Sequence, residues 1–378
     1  MLVSFGHLVH DVYTSFLSPL LPLLIEKFSL TYSLAGLLGI LQRIPSLASP
    51  FLGILADRMA MRFMVIITPA VTAAAMSLIG IAPSYIVVAV LMLVTGISSA
   101  FFHVPTPVMV MKVSGDQVGK GMSYYMFGGE IARMLGPLLI LGAVTVWGLE
   151  GSWKVMPLGI AASVLLYFKL HKIRISQEIK QEQQISGLKK AFIDHIPLFI
   201  FLTGITFFRS IMRAALTTFL PTFVSLQGES LWTGGLFLTI LEICGAAGTL
   251  FWGIYSDKIG RRRALLIILY TAPAFMYFFS VIEGWWSLPF LVLLGFFLLG
   301  TTPILLAMVQ DMAGGRPSFF NGMFLTISFG SEAISLLIVG AMSDWFGLAE
   351  TFRYSSFIAI GAIPFLWMTK PGKKGEGN

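Results

Sequence analysis

Long apolar runs separated by short polar breaks make up most of this chain of 378 residues. A helix that crosses a bilayer needs about 20 consecutive, mostly apolar residues. Twelve runs meet this requirement, and we number them span 1 to span 12: 3–25, 33–56, 63–82, 84–111, 120–147, 151–169, 195–224, 232–254, 264–282, 287–311, 319–343 and 351–369. The pattern predicts an all-α membrane protein with twelve transmembrane helices.

One polar stretch, KLHKIRISQEIKQEQQISGLKKAFID at residues 169–194, is too hydrophilic to span and divides the chain into two sets of six helices. We expect residues 1–168 to form an N-terminal six-helix bundle. Residues 195–370 are expected to form a C-terminal bundle, with a central cavity between the two. The polar stretch is predicted to be a cytoplasmic linker that could form an amphipathic helix on the membrane surface. Residues 371–378 are predicted to be a cytoplasmic tail.

The two halves repeat each other in sequence. GILADRMAMR at 53–62 returns as GIYSDKIGRR at 253–262, and GMSYYMFGGE at 121–130 returns in outline as GMFLTISFGSE at 322–332. Each pair falls at the same place within its half. Parallel repeats of six spans are an architecture of secondary transporters, in which the substrate site lies near the midplane between the repeats.

Loop lysines and arginines gather on one side of the predicted membrane. They follow the even-numbered spans, whereas the opposite loops hold only Lys27, Lys154 and Arg353. By the positive-inside rule, both termini are expected in the cytoplasm, with the protein in the cell (inner) membrane. This distribution accounts for the formal net charge of +7 without a nucleic-acid partner. Charged residues form only 11% of the chain, well below the roughly 25% of soluble domains.

The repeated loop sequences resemble the signature of the major facilitator superfamily, Gly-x-x-x-Asp-Arg/Lys-x-Gly-Arg-Arg/Lys. The second copy is complete, while the first has Ala60 and Met61 where a glycine and a basic residue are usual. In that family the loop joins the cytoplasmic ends of helices through charge pairs and gates the conformational cycle; plain positive-inside anchoring is the alternative. The resemblance implies a cytoplasmic gate formed by Gly53, Asp57, Arg58, Arg62, Gly253, Asp257, Lys258 and Arg261.

A narrower resemblance lies in the first half. GHLVHDVYTSFLSPLLPLL, GISSAFFHVPTP and FGGEIARMLGPLL are similar to the fosmidomycin-resistance branch of proton-coupled efflux permeases, although Val104 separates His103 from Pro105. Gly136 and Pro137 resemble the helix-packing motif in span 5 of superfamily antiporters. The resemblance therefore implies export by antiport, with a monomer as the working unit.

Ionisable residues within the spans are candidates for function, because a charge in the bilayer is costly. In this superfamily, spans 1, 4, 7 and 10 line the cavity with parts of 2, 5, 8 and 11, and every candidate lies on one of these. The predicted substrate and proton pathway comprises His10, Asp11, Arg43, His103, Glu130, Arg133, Arg209, Arg213, Glu242 and Glu332, and His7 is a further ionisable residue of span 1.

Several roles remain open from sequence. Asp11 could carry a proton or pair with Arg43. Glu130 and Arg133 stand three apart, so they could pair on one helix face or exchange partners during transport. The cationic stripe of Arg209 and Arg213 could bind an anionic group or neutralise the acidic residues of spans 8 and 11, Glu242 and Glu332. The histidine of span 4, His103, could be a packing residue or part of the site.

The sequence therefore predicts a secondary active transporter, a proton-coupled antiporter that exports a small amphipathic or anionic compound by alternating access. The first alternative is a proton-coupled importer of an organic anion. A divalent-metal transporter that uses the histidines and Asp11 is disfavoured, because arginines in the cavity would repel a cation. H-E-x-x-H, G-x-S-x-G and G-x-x-x-x-G-K-[ST] are absent from the sequence, so we expect no enzyme, no ATP-driven pump, no cofactor and no metal site.

Overall fold

The computed structural model describes residues 2–48, 61–171, 192–312 and 317–367. Within these ranges the chain forms α-helices and short 3-10 helices and no β-strand. Ten helical stretches of this described part are long and apolar enough to cross a bilayer, and they coincide with span 1 and spans 3 to 11. The prediction of an all-α membrane fold is therefore confirmed.

The two remaining spans are helical where they are described. Span 2 begins as Tyr32–Arg43, continues as the 3-10 helix Ile44–Ala48, and then enters residues 49–60, which lie outside the described ranges. Span 12 consists of Leu348–Ala359, a 3-10 turn at Ile360–Ala362, and Ile363–Leu366. Residues 172–191 of the predicted linker and the tail 371–378 also lie outside the described ranges, so their conformation stays a prediction.

In the first half of the chain, the helix of span 4 is interrupted at the position where a proline predicts a break. One helix ends at His103 and the next begins at Pro105, which has no amide hydrogen to continue the ladder. Span 1 breaks at Ser15 and Phe16. The α-helices of this half are Leu2–Thr14, Leu17–Phe28, Tyr32–Arg43, Met61–Ser77, Tyr85–His103, Pro105–Ser114, Val118–Trp147 and Met156–Leu170.

The second half repeats the pattern with longer helices. Gly260, at φ 90°, makes the tight turn between spans 8 and 9, a backbone conformation that glycine adopts without strain. Span 10 is interrupted at Gly300. The α-helices of this half are Ile196–Leu226, Leu231–Ile259, Arg261–Val281, Leu288–Leu299, Thr301–Met312, Pro317–Phe346, Leu348–Ala359 and Ile363–Leu366.

The chain divides into two compact units whose boundaries cut through spans 7, 8 and 11. Unit 1 contains Met1–Glu178, Ala215–Ile243 and Leu336–Leu348. Unit 2 contains Ile179–Ala214, Cys244–Ser335 and Ala349–Asn378. Unit 1 therefore holds the first sequence half together with parts of three spans from the second. The predicted division at the linker stays a prediction.

Spans 1 and 5 pack closely in unit 1 because glycines face the backbone of span 1. A Cβ atom on Gly128 would lie 2.7 Å from the carbonyl oxygen of Ser4, and one on Gly136 would lie 2.6 Å from that of Val12. Any side chain at these two positions would clash. The close approach of the two helices also places Gly129 against the ring of His7.

Unit 1 also contains a contact between the start of span 2 and the end of span 11. The backbone amides of Tyr32 and Ser33 donate to Asp344 Oδ1 and Oδ2, at 2.6 and 3.0 Å. The amide of Leu34 donates to Thr31, the N-cap of the same helix. Asp344 thus satisfies two of the amides that the first turn of a helix leaves unpaired, and its charge suits the positive end of the helix dipole.

Replacing Asp344 with alanine is expected to lower the free energy of unfolding by about 1 kcal/mol, the typical cost of losing a helix cap. Asp344→Asn keeps an oxygen acceptor but loses the charge, so its effect should be intermediate. Thermal unfolding of the purified variants in detergent would measure both. Equal midpoints for Asp344→Ala and wild type would show that water replaces the carboxylate without loss.

Candidate functional site

Span 1 and span 4 bring three ionisable side chains together in unit 1. His7 and Asp11 stand one helical turn apart, and His7 Nε2 lies 3.1 Å from Asp11 Oδ2. His103, at the break in span 4, places its Nε2 3.2 Å from Asp11 Oδ1. His7 and Asp11 are buried, whereas the His103 side chain is 38% exposed. We call these three residues the histidine cluster.

Tyr125 of span 5 holds both rings of the histidine cluster in place. His7 Nδ1 donates a hydrogen bond to the backbone carbonyl of Tyr125 at 2.7 Å. The two rings stack with their centroids 4.0 Å apart. The Tyr125 hydroxyl lies 3.2 Å from His103 Nδ1. Tyr125 is itself fixed in a buried apolar cluster with Phe102 and Leu166. The sequence analysis missed Tyr125, since half of its contribution comes from a main-chain carbonyl.

His10 contacts the ring of His103 edge-on, with centroids 5.4 Å apart, and its Nδ1 faces a chain of hydroxyl groups. Its Nδ1 lies 3.2 Å from Thr72 Oγ1, which donates to Ser98 Oγ at 2.8 Å. Because the Thr72 hydroxyl gives its proton to Ser98, it accepts from His10 Nδ1. His10 is fully buried and stacks on Phe102 with ring centroids 4.5 Å apart.

On span 2, Arg43 Nη1 lies 3.5 Å from the carbonyl oxygen of Gly39, one turn earlier in the same helix.

A second group lies on spans 5 and 8, also in unit 1. The Arg133 guanidinium contacts Glu130 through Nη2 and places its Nε 3.3 Å from Glu242 Oε2. The predicted pair within span 5 is therefore present. From sequence, Glu242 was one of the acidic residues that the span 7 arginines could neutralise. The structure places it beside Arg133. These three residues form the Arg133 cluster.

The Arg133 cluster carries one excess negative charge near the middle of its spans. Two carboxylates against one guanidinium leave a formal charge of −1. Arg133 lies at the centre of the stretch Lys120–Trp147, and Glu242 lies within about 5 Å of the centre of Leu231–Ile259 at a rise of 1.5 Å per residue. The Glu242 side chain is only 12% exposed, against 43% for Arg133. The cluster thus combines a largely buried carboxylate with a formal charge of −1 over its three side chains.

A third group lies in unit 2 and has the opposite sign. Arg213 Nε lies 3.8 Å from Glu332 Oε1, and buried Arg209 donates from Nη1 to Thr302 Oγ1 at 3.1 Å. Among the described residues, no hydrogen-bond acceptor reaches Arg209 Nε. We call Arg209, Arg213 and Glu332 the Arg209 cluster; its formal charge is +1. Sequence analysis missed Thr302, although the Gly-Thr-Thr-Pro break in span 10 marks its position.

The complete signature loop between spans 8 and 9 contains an ion-pair network. Arg261 contacts Asp257 at 3.0 Å and Asp311, at the end of span 10, at 2.6 Å. Lys258 is exposed, and Gly253 packs toward Pro303.

The first copy of the signature is described only at its end. Gly53, Asp57 and Arg58 lie outside the described residues. The Arg62 guanidinium lies 5.0 Å from the centroid of the Phe63 ring. The gate role of both loops stays a prediction.

The fold and these clusters can be set beside known proteins. A sequence model of the Major Facilitator Superfamily matches residues 3–331 and 235–378. The chain belongs to the Major Facilitator Superfamily. As a member of that superfamily, it is a multi-pass membrane transporter of small molecules and not an enzyme.

One relative fits the narrower resemblance, and two solved structures share the fold. The fosmidomycin resistance protein of Escherichia coli (strain K12) is 25% identical over 369 residues, covering 95% of this chain and 89% of that protein. The nucleoside transporter NupG has a TM-score of 0.78 at 14% identity, covering 97% of this chain and 98% of NupG. The xylose transporter XylE from E. coli, in an inward open conformation, has a TM-score of 0.76 at 15% identity, covering 99% and 96%. The two structures establish the superfamily fold alone.

Proposed function

We propose that this transporter is a proton-coupled antiporter that exports a small amphipathic or anionic compound across the inner membrane. Both termini lie in the cytoplasm in this proposal, and the two signature loops gate the cytoplasmic side. The Arg133 cluster is the observation that carries the proposal. It places two carboxylates and one guanidinium, with a formal charge of −1, near the middle of the membrane.

A net charge in a low-dielectric region is costly. Glu130, Glu242 and Arg133 together have a formal charge of −1 in such a region. Binding one proton to Glu130 or Glu242 leaves a neutral ion pair beside a neutral acid. Release of that proton restores the charge. A group that gains or loses net charge with one proton is suited to couple a proton gradient to a conformational cycle.

The Arg209 cluster supports an anionic or amphipathic substrate. Arg209 and Arg213 stand one turn apart and Arg213 lies beside Glu332, so the three side chains have a formal charge of +1. Arg209 Nε, buried and without an acceptor in the described part of the chain, has a donor to offer. Planar guanidinium groups bind carboxylate or phosphate-like oxygens in a bidentate manner. The direction of transport is inferred from the E. coli relative, which is named for resistance to fosmidomycin.

Efflux from bacterial cells that lack their major drug pumps would test this proposal. Cells expressing the protein would be loaded with a panel that includes fosmidomycin and lipophilic dyes, with and without a proton uncoupler. We expect faster efflux of at least one compound than in cells with an empty vector, and loss of this difference with uncoupler. Efflux that persists with uncoupler would exclude proton coupling. Gradient-driven accumulation of an organic anion would instead establish the importer.

A further inference from the structure

We propose that His7, Asp11 and His103 form a binding site for a divalent transition-metal ion of the zinc class. The site lies wholly within unit 1 and involves different residues from the Arg133 cluster. A bound ion would join span 1 to the broken span 4. Binding of the ion is a separate property from the proposed transport activity.

The donor set suits such an ion. Two imidazole nitrogens and one carboxylate oxygen are the ligands of many zinc sites in which a fourth position stays open. Bonds of about 2.0–2.1 Å to a tetrahedral ion place neighbouring ligand atoms roughly 3.4 Å apart. Asp11 Oδ2 already lies 3.1 Å from His7 Nε2, and the other oxygen, Oδ1, lies 3.2 Å from His103 Nε2. The ligand atoms of all three residues lie within 4.8 Å of one another, so small side-chain movements would close the site.

The hydrogen bond from His7 to Tyr125 shows which ring nitrogen of His7 carries a hydrogen. The other ring nitrogen faces Asp11. A backbone carbonyl can only accept, so His7 Nδ1 carries the hydrogen at this 2.7 Å contact. In the neutral ring, Nε2 then presents its lone pair to the Asp11 carboxylate, 3.1 Å away. Two acceptors at that distance repel unless a positive centre lies between them. In the proposed site, a metal ion supplies that centre.

Asp11 and Tyr125 provide two further observations. Asp11 is 8% exposed, and none of the described residues aligns a hydrogen-bond donor on its Oδ1. The carbonyl and the hydroxyl of Tyr125 lie against the outer nitrogens of the two histidines. Metal-binding histidines usually have such a partner on the nitrogen that does not bind the ion. The exposure of His103 leaves one side of the cluster open for entry and for a fourth ligand.

The repulsion by arginines that argues against a cation is smaller than the sequence suggests. Arg133 is compensated by two carboxylates, and Arg213 has Glu332 beside it. The Arg133 cluster, in the same unit as the histidine cluster, carries a net negative charge. These neighbouring charges do not exclude a divalent ion from the histidine cluster.

Titration of the purified, chelator-treated full-length protein in detergent would test the site. Zn²⁺ binding would be measured by calorimetry, and Co²⁺ binding by the visible absorption that strengthens in four-coordinate sites. We expect one ion per chain at micromolar concentration. Zn²⁺ should also raise the unfolding temperature, because a ligand that binds only the folded state stabilises it.

Three variants make the test specific. Tyr125→Phe removes only the hydroxyl beside His103 and should weaken binding by about 10-fold, within the range for an outer hydrogen bond. His103→Gln removes a half-exposed ligand and should weaken binding further. His171→Gln, at an exposed histidine bonded to the Tyr167 carbonyl, is the matched control and should bind like wild type.

The outcomes separate clearly. Binding that weakens in the order His171→Gln, Tyr125→Phe, His103→Gln would establish the site. Absence of binding, or equal binding by His103→Gln and His171→Gln, would overturn it, and a proton on His7 would then be the positive centre beside Asp11. None of these measurements depends on transport, so they leave the proposed antiport to its own test.

Discussion

Replacing Glu242 with glutamine is expected to uncouple transport from the proton gradient while leaving the protein folded. Glutamine has nearly the same shape as glutamate, and its amide oxygen can still accept a hydrogen bond from Arg133 Nε, which lies 3.3 Å from the native carboxylate. The variant cluster would be neutral without a proton. It therefore imitates the protonated state of the proposed antiporter.

Transport in reconstituted vesicles would distinguish coupling from movement of substrate. With Glu242→Gln, exchange of substrate at equal concentrations on both sides should continue. Uptake driven by an imposed proton gradient should fall to the level of protein-free vesicles. Glu130→Gln should show the same separation, because either carboxylate can supply the excess charge.

Span 12 offers a matched control. Glu350 and Arg353 form another i, i+3 ion pair, with 2.7 Å between Arg353 Nη1 and Glu350 Oε1. Glu350→Gln changes the same chemical groups in a half-exposed position outside the Arg133 cluster and should leave coupling intact. Gradient-driven uptake that survives in both Glu242→Gln and Glu130→Gln would remove the Arg133 cluster from the coupling mechanism. Arg133 itself is a poor test position, since its loss removes the cation that contacts both Glu130 and Glu242 and would destabilise the fold as well as the coupling.

The second large effect is expected at Gly136, where alanine should destabilise the protein by about 1–3 kcal/mol, the usual cost of overpacking. The new Cβ would lie 1.8 Å from Ser15 Oγ and 2.6 Å from the carbonyl oxygen of Val12. The Ser15 side chain can rotate away, but the backbone of span 1 cannot yield without separating the two helices. The change is unfavourable even though alanine is the better helix former by about 0.5–1 kcal/mol.

Gly142 of the same helix provides the control. No atom of the described chain beyond its own helix and neighbours lies within 4 Å of a Cβ placed there. Gly142→Ala should therefore leave the thermal unfolding midpoint unchanged or raise it, opposite in sign to Gly136→Ala. A midpoint for Gly136→Ala equal to wild type would mean that spans 1 and 5 can separate at no cost.

The spans were predictable from sequence because a bilayer fixes both the length and the polarity of a helix that crosses it. Pairs within one helix were predictable for a similar reason. Helical spacing alone brings Glu130 to Arg133, and it places His7 one turn from Asp11.

Contacts between spans could not be predicted from the sequence, because they depend on how helices pack rather than on helical spacing. Glu242 could have met any arginine on a neighbouring helix, and only the packing of spans 5 and 8 selects Arg133. The main-chain carbonyl that orients His7 has no signature in residue type. The structure also brings together three of the four residues considered for a metal, and leaves His10 to the hydroxyl chain.

The cap on span 2 has an evolutionary consequence. Its two donors are main-chain amides, which every residue except proline supplies, so the amino acids at positions 32 and 33 can drift without altering the bond. The acceptor is the side chain of Asp344 alone. Natural variation in the strength of this contact should therefore be concentrated at the codon for residue 344. Selection for a weaker or stronger contact between spans 2 and 11 would act on that codon first.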